Sequence, residues 1–290
     1  MEGPGVPELS HQSLKELAAS LTEDPSLQPH VAALMASRVE NALERYFSEP
    51  ARFRKALGDA RAILSGSWVL RFIMEHSSTD APTWTENDLD VYCPEEGVVI
   101  VVATLLDEGY YPSQAQVRDP PSRTSTSKLI SRVLRFNHET RGKKIDVVCT
   151  HASTPFEVVL DFWTTLVMNA ITVHDITILY PDLTLAKQGR QPTERLKTRG
   201  VGHLLCKYIA RGFNIWPFTR QRPTAYRPDD DRNSRDKRCL SLPIAVPEGY
   251  ARGPRGSSLA MWSMGGYEGE EGSHPFTATT KGADEHEREE

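Results

Sequence analysis

Apolar residues recur along the chain with two different periods, and segments with these periods alternate. Between residues 29 and 57 the apolar positions return at roughly helical spacing, which predicts one long or two shorter helices. A short apolar run over 62–65 predicts a strand, and residues 69–73 place their apolar side chains on one face of a following helix. Residues 88–93 predict the next strand. Residues 98–106 are rich in β-branched side chains, but two glutamates before them and a glycine after them indicate a helix.

The second half of the domain begins with a hairpin pattern. Residues 133–137 and 144–150 predict two strands, and Gly142 in the connection between them is typical of a turn. A helix is predicted over 155–163 and another over 193–211. Between them, residues 166–171 and 176–179 predict a strand pair, or a strand and an element packed beside it. This alternation predicts an α/β (α+β) protein with a mixed sheet flanked by helices.

Composition divides the chain into three parts. Residues 1–28 are polar and interrupted by proline, which predicts a flexible N-terminal segment with at most a short helix over 13–21. Residues 29–220 contain the apolar pattern and predict a single domain. Residues 221–290 are rich in Pro, Gly, Asp, Glu and Arg, and predict an irregular, largely disordered acidic tail, most clearly over 264–290.

Charge and composition narrow the class of protein. The formal net charge is −5, which does not favour a general nucleic-acid binder, although a local basic groove remains compatible with it. The longest apolar run, 98–106, is far shorter than the roughly 20 residues of a membrane-spanning helix. No secretion signal is visible, and the four scattered cysteines predict free, buried thiols. We therefore expect a cytoplasmic or nuclear protein without a membrane partner.

Two aspartates interrupt the strand that begins at residue 88. Side chains alternate between the two faces of a strand, so Asp88 and Asp90 share one face, with Cα atoms about 6.5–7 Å apart. Asp146 alternates with apolar neighbours in the same way on a later strand. Carboxylates gathered in a cleft need a cation, and hard oxygen ligands suit Mg²⁺ or Mn²⁺. The pattern predicts a metal site formed by Asp88, Asp90 and Asp146.

A small-residue turn precedes these acids. Gly66 and Ser67 follow the predicted strand 62–65 and lead into a helix. Glycine lets backbone N–H groups approach a phosphate closely, the serine hydroxyl adds a donor, and the N-terminus of a helix favours negative charge. An ordinary strand-to-helix turn is the alternative interpretation.

The ordered set Gly66-Ser67, Asp88-Leu89-Asp90 and Asp146 resembles the DNA polymerase beta-like nucleotidyltransferase superfamily, over a core of about residues 53–185. The stretches at 162–171 and 179–189 are also similar to a group of largely uncharacterised fungal proteins with this fold. The spacing from Ser67 to Asp88 is long for the superfamily, so residues 75–86 are interpreted as an insertion, and residues 186–220 as an added helical part.

The resemblance implies a nucleotidyltransferase fold and a metal-dependent reaction. A nucleoside monophosphate would pass from a nucleoside triphosphate to an acceptor, usually a hydroxyl. Asp88 and Asp90 would bind two divalent ions, Mg²⁺ or Mn²⁺, and Asp146 would complete the site of the ion that activates the acceptor. Gly66 and Ser67 would hold the triphosphate. The acceptor is not identified by the sequence.

Four questions stay open, two about the function of the chain and two about individual residues. A catalytically inactive nucleotide-binding or interaction module could retain the fold, and a glycosyltransferase could use Asp88 and Asp90 to hold a metal and a nucleotide-sugar. Trp84 could stack on a base or pack under the inserted loop. A further set of basic residues could line a phosphate or nucleic-acid groove, but a solvated face is favoured for it: Lys187, Arg190, Arg195, Lys197 and Arg199.

Overall fold

The computed structural model describes the following residues: 9–77, 82–86, 88–113, 129–152, 154–191, 201–217, 226, 232–233, 236–250, 259–262 and 279–281. The helices are α1 (Leu14–Glu23), α2 (Gln28–Leu43), α3 (Pro50–Asp59), α4 (Gly66–Glu75), α5 (Val98–Asp107), α6 (Phe156–Leu160), α7 (Pro181–Leu185) and α8 (Val201–Ala210). Short 3₁₀ turns span Leu9–His11, Pro25–Leu27, Glu95–Gly97 and Thr165–Val167.

The strands are β1 (Ile63–Ser65), β2 (Leu89–Pro94), β3 (Tyr111–Pro112), β4 (Ile130–His138), β5 (Lys143–Thr150), β6 (Asn169–Ile171), β7 (Asp175–Ile178), β8 (Gln188–Gln191), β9 (Asn214–Pro217), β10 (Arg232–Asn233), β11 (Leu240–Pro243), β12 (Leu259–Trp262) and β13 (Thr279–Lys281). Within the described residues, eight of them form one mixed sheet in the order β11-β7-β6-β1-β2-β5-β4-β3.

Pairing in this sheet is antiparallel except at one place. Strands β2 and β5 run parallel, side by side in its centre, while β1 pairs antiparallel with β2 and β4 pairs antiparallel with β5. Two smaller sheets lie outside it, one formed by β8 and β9 and one by β10, β12 and β13. The protein is therefore a mixed α/β structure with a mixed sheet flanked by helices.

Apolar side chains cover both faces of the main sheet. The larger core lies against the face that carries Leu89, Val91, Ile145 and Val147, and is filled by residues of α1 to α5. A smaller core on the opposite face contains Tyr92 and Val148 together with α6. Because side chains alternate along a strand, Asp90 and Asp146 lie on the face of the smaller core.

The N-terminal part of the chain belongs to the folded domain. Helix α1 begins at a capping box, in which the Ser13 hydroxyl accepts from the Glu16 N–H and the Glu16 carboxylate accepts from the Ser13 N–H. Leu14 and Leu17 are fully buried in the larger core. The prediction of a flexible segment over 1–28 is wrong for residues 9–28, because two apolar residues one helical turn apart suffice to anchor a short polar helix.

Part of the C-terminal tail is also ordered. Strand β11 pairs antiparallel with β7 and forms one edge of the main sheet, and Leu242 and Ile244 are buried in the larger core. The prediction of an irregular tail over 221–290 is thus wrong for Leu240–Pro243, whereas residues 244–250 form neither helix nor strand. Within 264–290, residues 279–281 form β13, which pairs with β12, and the remainder lies outside the described residues.

Several predicted elements are confirmed. The helical pattern over 29–57 forms two helices, α2 and α3, and residues 98–107 form a helix despite their β-branched side chains. The hairpin is formed by β4 and β5. Residues 165–167 form a 3₁₀ turn instead of the start of a strand, so that only 169–171 pair with β7.

The cysteines agree with the expectation of free thiols, and two of them are buried. All four cysteines are free, and Cys93 and Cys149 are buried as expected, whereas Cys206 is exposed. Within the described ranges, every helix is too short or too polar to cross a bilayer.

Candidate metal site

The register of four strands brings two of the predicted aspartates, Asp90 and Asp146, into one row with Ser65 and Arg135. Ser65 of β1 lies opposite Asp90 of β2, Asp90 lies beside Asp146 of β5, and Asp146 lies opposite Arg135 of β4. Residues paired across neighbouring strands point to the same face of a sheet. Asp88 lies on this face too, because it stands two residues before Asp90.

The three carboxylates converge at one point. Asp88, Asp90 and Asp146 each offer one oxygen, and these oxygens lie within 4.8 Å of one another. All three side chains are half-buried. In the described part of the chain, Asp88 and Asp90 accept no hydrogen bond. Three half-buried carboxylates are a donor set that Mg²⁺ or Mn²⁺ accepts.

Gly66 is required at the entrance to helix α4. Its φ of +75° lies in the left-handed region, and a Cβ atom at this position would collide with the Oδ2 atom of Asp90. No other residue type fits both constraints without strain. The turn therefore brings the backbone at the start of α4 against the Asp90 carboxylate.

Ser67 lies in the first turn of α4 and is buried. Within the described residues, its hydroxyl forms no hydrogen bond with the three acids. The structure therefore places Gly66 at the acidic cluster and Ser67 beside it. The hydroxyl of Ser65, one residue earlier, is occupied by the backbone carbonyl of Asn169 at 2.6 Å.

Burial and mutual repulsion raise the pKa values of two of these acids. Burial raises the pKa of Asp90 well above its ordinary value, the charges of Asp88 and Asp146 raise it further, and Lys207 lowers it. Burial also raises the pKa of Asp146, against the opposing effect of Arg135. The metal-free site therefore disfavours its own full ionisation, and a bound cation would remove this cost.

Two cations interact with different members of the acidic cluster. Arg135 donates from Nε to Oδ2 of Asp146 at 3.4 Å. Lys207 of α8 is close enough to Asp88 and Asp90 for these acids to raise its pKa, although burial and Arg211 lower it on balance. Sequence inspection did not single out Lys207 or Arg135. Strand alternation in the predicted hairpin could have identified Arg135, whereas Lys207 is placed by tertiary packing alone.

Trp84 is a packing residue. The guanidinium carbon of Arg211 lies 4.2 Å from the centroid of its ring, and Phe213 contacts it edge to face at 6.2 Å. Arg71 also lies over this ring, at 5.9 Å. Of the two interpretations of Trp84, the described neighbours therefore support packing, and not an open face for a base.

The segment before Asp88 is anchored by a buried glutamate. The side chain of Glu86 is 1% exposed and pairs with Arg71 at 3.3 Å and Arg45 at 3.6 Å. Tyr46 donates its hydroxyl to the same carboxylate at 3.1 Å, and Arg211 donates to the Thr85 carbonyl at 3.1 Å. These contacts hold residues 84–86 against the domain, and with them the approach to Asp88.

Of the basic residues considered for a phosphate or nucleic-acid groove, the structure describes only Lys187 and Arg190. Arg190 is buried within β8, so the interpretation as a solvated face is wrong for this residue. Lys187 is exposed at a turn with φ of +55°. Arg195, Lys197 and Arg199 lie outside the described residues.

Comparison with known proteins adds no family. No family model matches the chain. No curated protein matches it in sequence either. The geometry of the site is therefore the basis for inferring what it binds.

Proposed function

We propose that this protein transfers a nucleoside monophosphate from a nucleoside triphosphate to an acceptor hydroxyl, with Mg²⁺ or Mn²⁺ bound at Asp88, Asp90 and Asp146. The observation that carries the proposal is the convergence of these three carboxylates within 4.8 Å, next to a turn that only glycine can form. The positions have the order and the strand placement of the nucleotidyltransferase motif described above.

Each acid has a role in this proposal. Asp88 and Asp90 would hold two divalent ions, and Asp146 would complete the site of the ion on the acceptor side. Bound in pairs, such ions stabilise the attacking and the leaving oxygen of an in-line displacement. The raised pKa values of Asp90 and Asp146 support this assignment, since perturbed carboxylates gathered in a cleft are typical of functional sites.

The triphosphate would lie against the start of helix α4. Free backbone N–H groups at a helix N-terminus favour phosphate oxygens, and Gly66 allows a close approach to the backbone. Lys207 supplies a positive charge near Asp88 and Asp90. A triphosphate bridged to the acids by metal ions would therefore be contacted by a cation and a helix N-terminus.

The reaction itself consists of one displacement. The acceptor hydroxyl oxygen forms a bond to the α-phosphorus while the bond from that phosphorus to the bridging oxygen breaks. Pyrophosphate leaves with the electron pair of the broken bond, and the proton of the acceptor hydroxyl passes to solvent water. The nucleotidyltransferase fold is part of the same proposal. The parallel pair β2–β5 supports this fold, because all three acids lie on its strands or directly before them.

A second candidate has its own observation. Arg135 already pairs with Asp146, and Lys207 lies near the other two acids, so the charges could be balanced without metal. This favours a catalytically inactive nucleotide-binding or interaction module. The two candidates differ in whether Mg²⁺ binds and whether pyrophosphate is released.

The test is a ligand screen on the intact chain. Thermal unfolding is measured with each of the four ribonucleoside triphosphates and with nucleotide-sugars, in Mg²⁺, in Mn²⁺ and in EDTA. The proposal predicts stabilisation by at least one triphosphate that depends on the metal, and metal-dependent release of pyrophosphate. Asp90→Asn should abolish both, whereas Asp59→Asn, an exposed acid paired with Lys55, should change neither. Stabilisation by nucleotide-sugars alone would indicate a glycosyltransferase, and nucleotide binding without metal would indicate the inactive module.

A further inference from the structure

The hairpin of β4 and β5 presents two cations beside Asp146. Arg135 lies directly opposite Asp146, and Lys144 lies opposite Asn137, two residues along β5. Residues spaced by two on a strand share a face, so Arg135, Lys144 and Asp146 point to the same side of the sheet. We call Arg135 and Lys144 the hairpin cations.

Both hairpin cations are accessible from the cleft. Arg135 is 38% exposed and contacts Asp146 through Nε alone. Within the described residues no hydrogen bond is formed by its two Nη groups. Lys144 is exposed, and its charge lowers the pKa of Asp146. An arginine that is fixed through Nε keeps its terminal N–H donors for an oxygen ligand.

The neighbouring lysine gives a contrast. Lys143 precedes Lys144 in the chain and points to the opposite face, where its Nζ lies 5.1 Å from the centroid of the Tyr46 ring. Lys143 is therefore engaged in a cation–π contact on the face of the sheet that carries the larger core. The cations that remain available are those on the face of the three acids.

The position of the hairpin cations relative to the acids indicates what they recognise. Lys207 lies toward Asp88 and Asp90, where the nucleotide is proposed to bind, whereas the hairpin cations lie beyond Asp146, on the acceptor side. A chain with a net charge of −5 therefore carries two accessible positive charges where the acceptor must approach. A neutral acceptor would gain nothing from them, but a phosphate would be bound by a guanidinium fork and an ammonium group.

We propose that the acceptor is a small hydroxyl compound carrying a phosphate monoester, and that Arg135 and Lys144 bind this phosphate while the hydroxyl faces Asp146. The inference rests on the proposed function and names its acceptor class. Lys144 and the Nη groups of Arg135 supply donors enough for one phosphate, while Nε of Arg135 stays paired with Asp146. A long nucleic acid would need contacts to several successive phosphates, and the hairpin cations supply a site for one.

The test uses glycerol 3-phosphate as the phosphate probe and glycerol as its matched control. Binding is measured by calorimetry with Mg²⁺ and the triphosphate that stabilises the protein best, supplied as its α,β-methylene analogue. Glycerol 3-phosphate should bind and glycerol should not. Arg135→Gln and Lys144→Gln should each weaken the binding of the probe about tenfold or more, because each removes a charge-assisted contact. Lys143→Gln should leave the binding unchanged.

The outcomes separate this inference from the proposed function. Absence of metal-dependent nucleotide binding in the unmodified protein would reject the proposed function. If nucleotide binding is intact in every variant, but glycerol 3-phosphate does not bind or binds equally well to Arg135→Gln and Lys144→Gln, the acceptor assignment is wrong. Binding of a short oligonucleotide in place of glycerol 3-phosphate, measured in the same way, would also overturn the small acceptor.

Discussion

Replacing Asp90 with asparagine should make the metal-free protein more stable. The oxygens of Asp88, Asp90 and Asp146 lie within 4.8 Å of one another. At that separation two unit charges repel by about 3.5 kcal/mol at an effective dielectric constant of about 20, and by about 0.9 kcal/mol in bulk water. Asp90 has two such neighbours, while Lys207 offsets part of their repulsion. We therefore expect Asp90→Asn to raise the free energy of unfolding by about 1–3 kcal/mol.

The assay is thermal unfolding in EDTA near neutral pH. For a chain of this length a gain of that size corresponds to a rise in Tm of about 2–6 °C. The same variant should lose the additional stabilisation by Mg²⁺ and nucleotide, because that stabilisation arises from binding to the folded state only. Asp59→Asn is the control for removal of an acid elsewhere. A clear fall in the Tm of Asp90→Asn in EDTA would refute the reasoning, because Asp90 would then be a structural partner of some donor.

Four further outcomes are expected. The stability difference between Asp90→Asn and the unmodified protein should shrink as the pH falls toward about 4. Because the pKa of Asp90 is raised in the folded state, protonation of Asp90 favours folding, and the protein loses stability as the pH rises through that pKa. Melting curves at several pH values measure this difference, and a difference that grows on acidification contradicts the prediction. Gly66→Ala should lower the free energy of unfolding, measured with denaturant, by about 1–3 kcal/mol, since alanine at positive φ is strained and would also displace Asp90. An unchanged free energy of unfolding would mean that the turn accommodates a Cβ atom and that glycine is not required there. Glu86→Gln should lower the free energy of unfolding by about 3 kcal/mol, because it removes the carboxylate that pairs with the charge of Arg71. Glu75→Gln is the control: its carboxylate is 39% exposed, and the free energy of unfolding should change by no more than about 0.5 kcal/mol. Leu17→Ala should cost about 2–5 kcal/mol by leaving a cavity in the core, and an unchanged denaturation midpoint would indicate that α1 does not contribute to the domain.

The local pattern was sufficient to predict much of the fold. Strand β5 illustrates this, because Ile145 and Val147 alternate with Asp146 and the alternation is independent of what surrounds the strand. Helix α5 was predicted from its terminal signals against its β-branched composition, and the structure confirms it. The N-terminal segment was predicted poorly, because its average composition is polar and only the burial of Leu14 and Leu17 reveals that it packs.

The sequence by itself determined which residues could form the acidic cluster, since Asp88 and Asp90 share a strand face by geometry and Gly66 stands where a turn must form. Only the tertiary structure decided that Asp146 joins them, because the parallel pairing of β2 with β5 places Asp146 beside Asp90 from 56 positions further along the chain. It likewise placed Arg135 against Asp146 and Lys207 near Asp88 and Asp90. These contacts join elements that are distant in the chain. The register between the paired strands depends on burying both faces of the sheet at once, and no local pattern specifies that register.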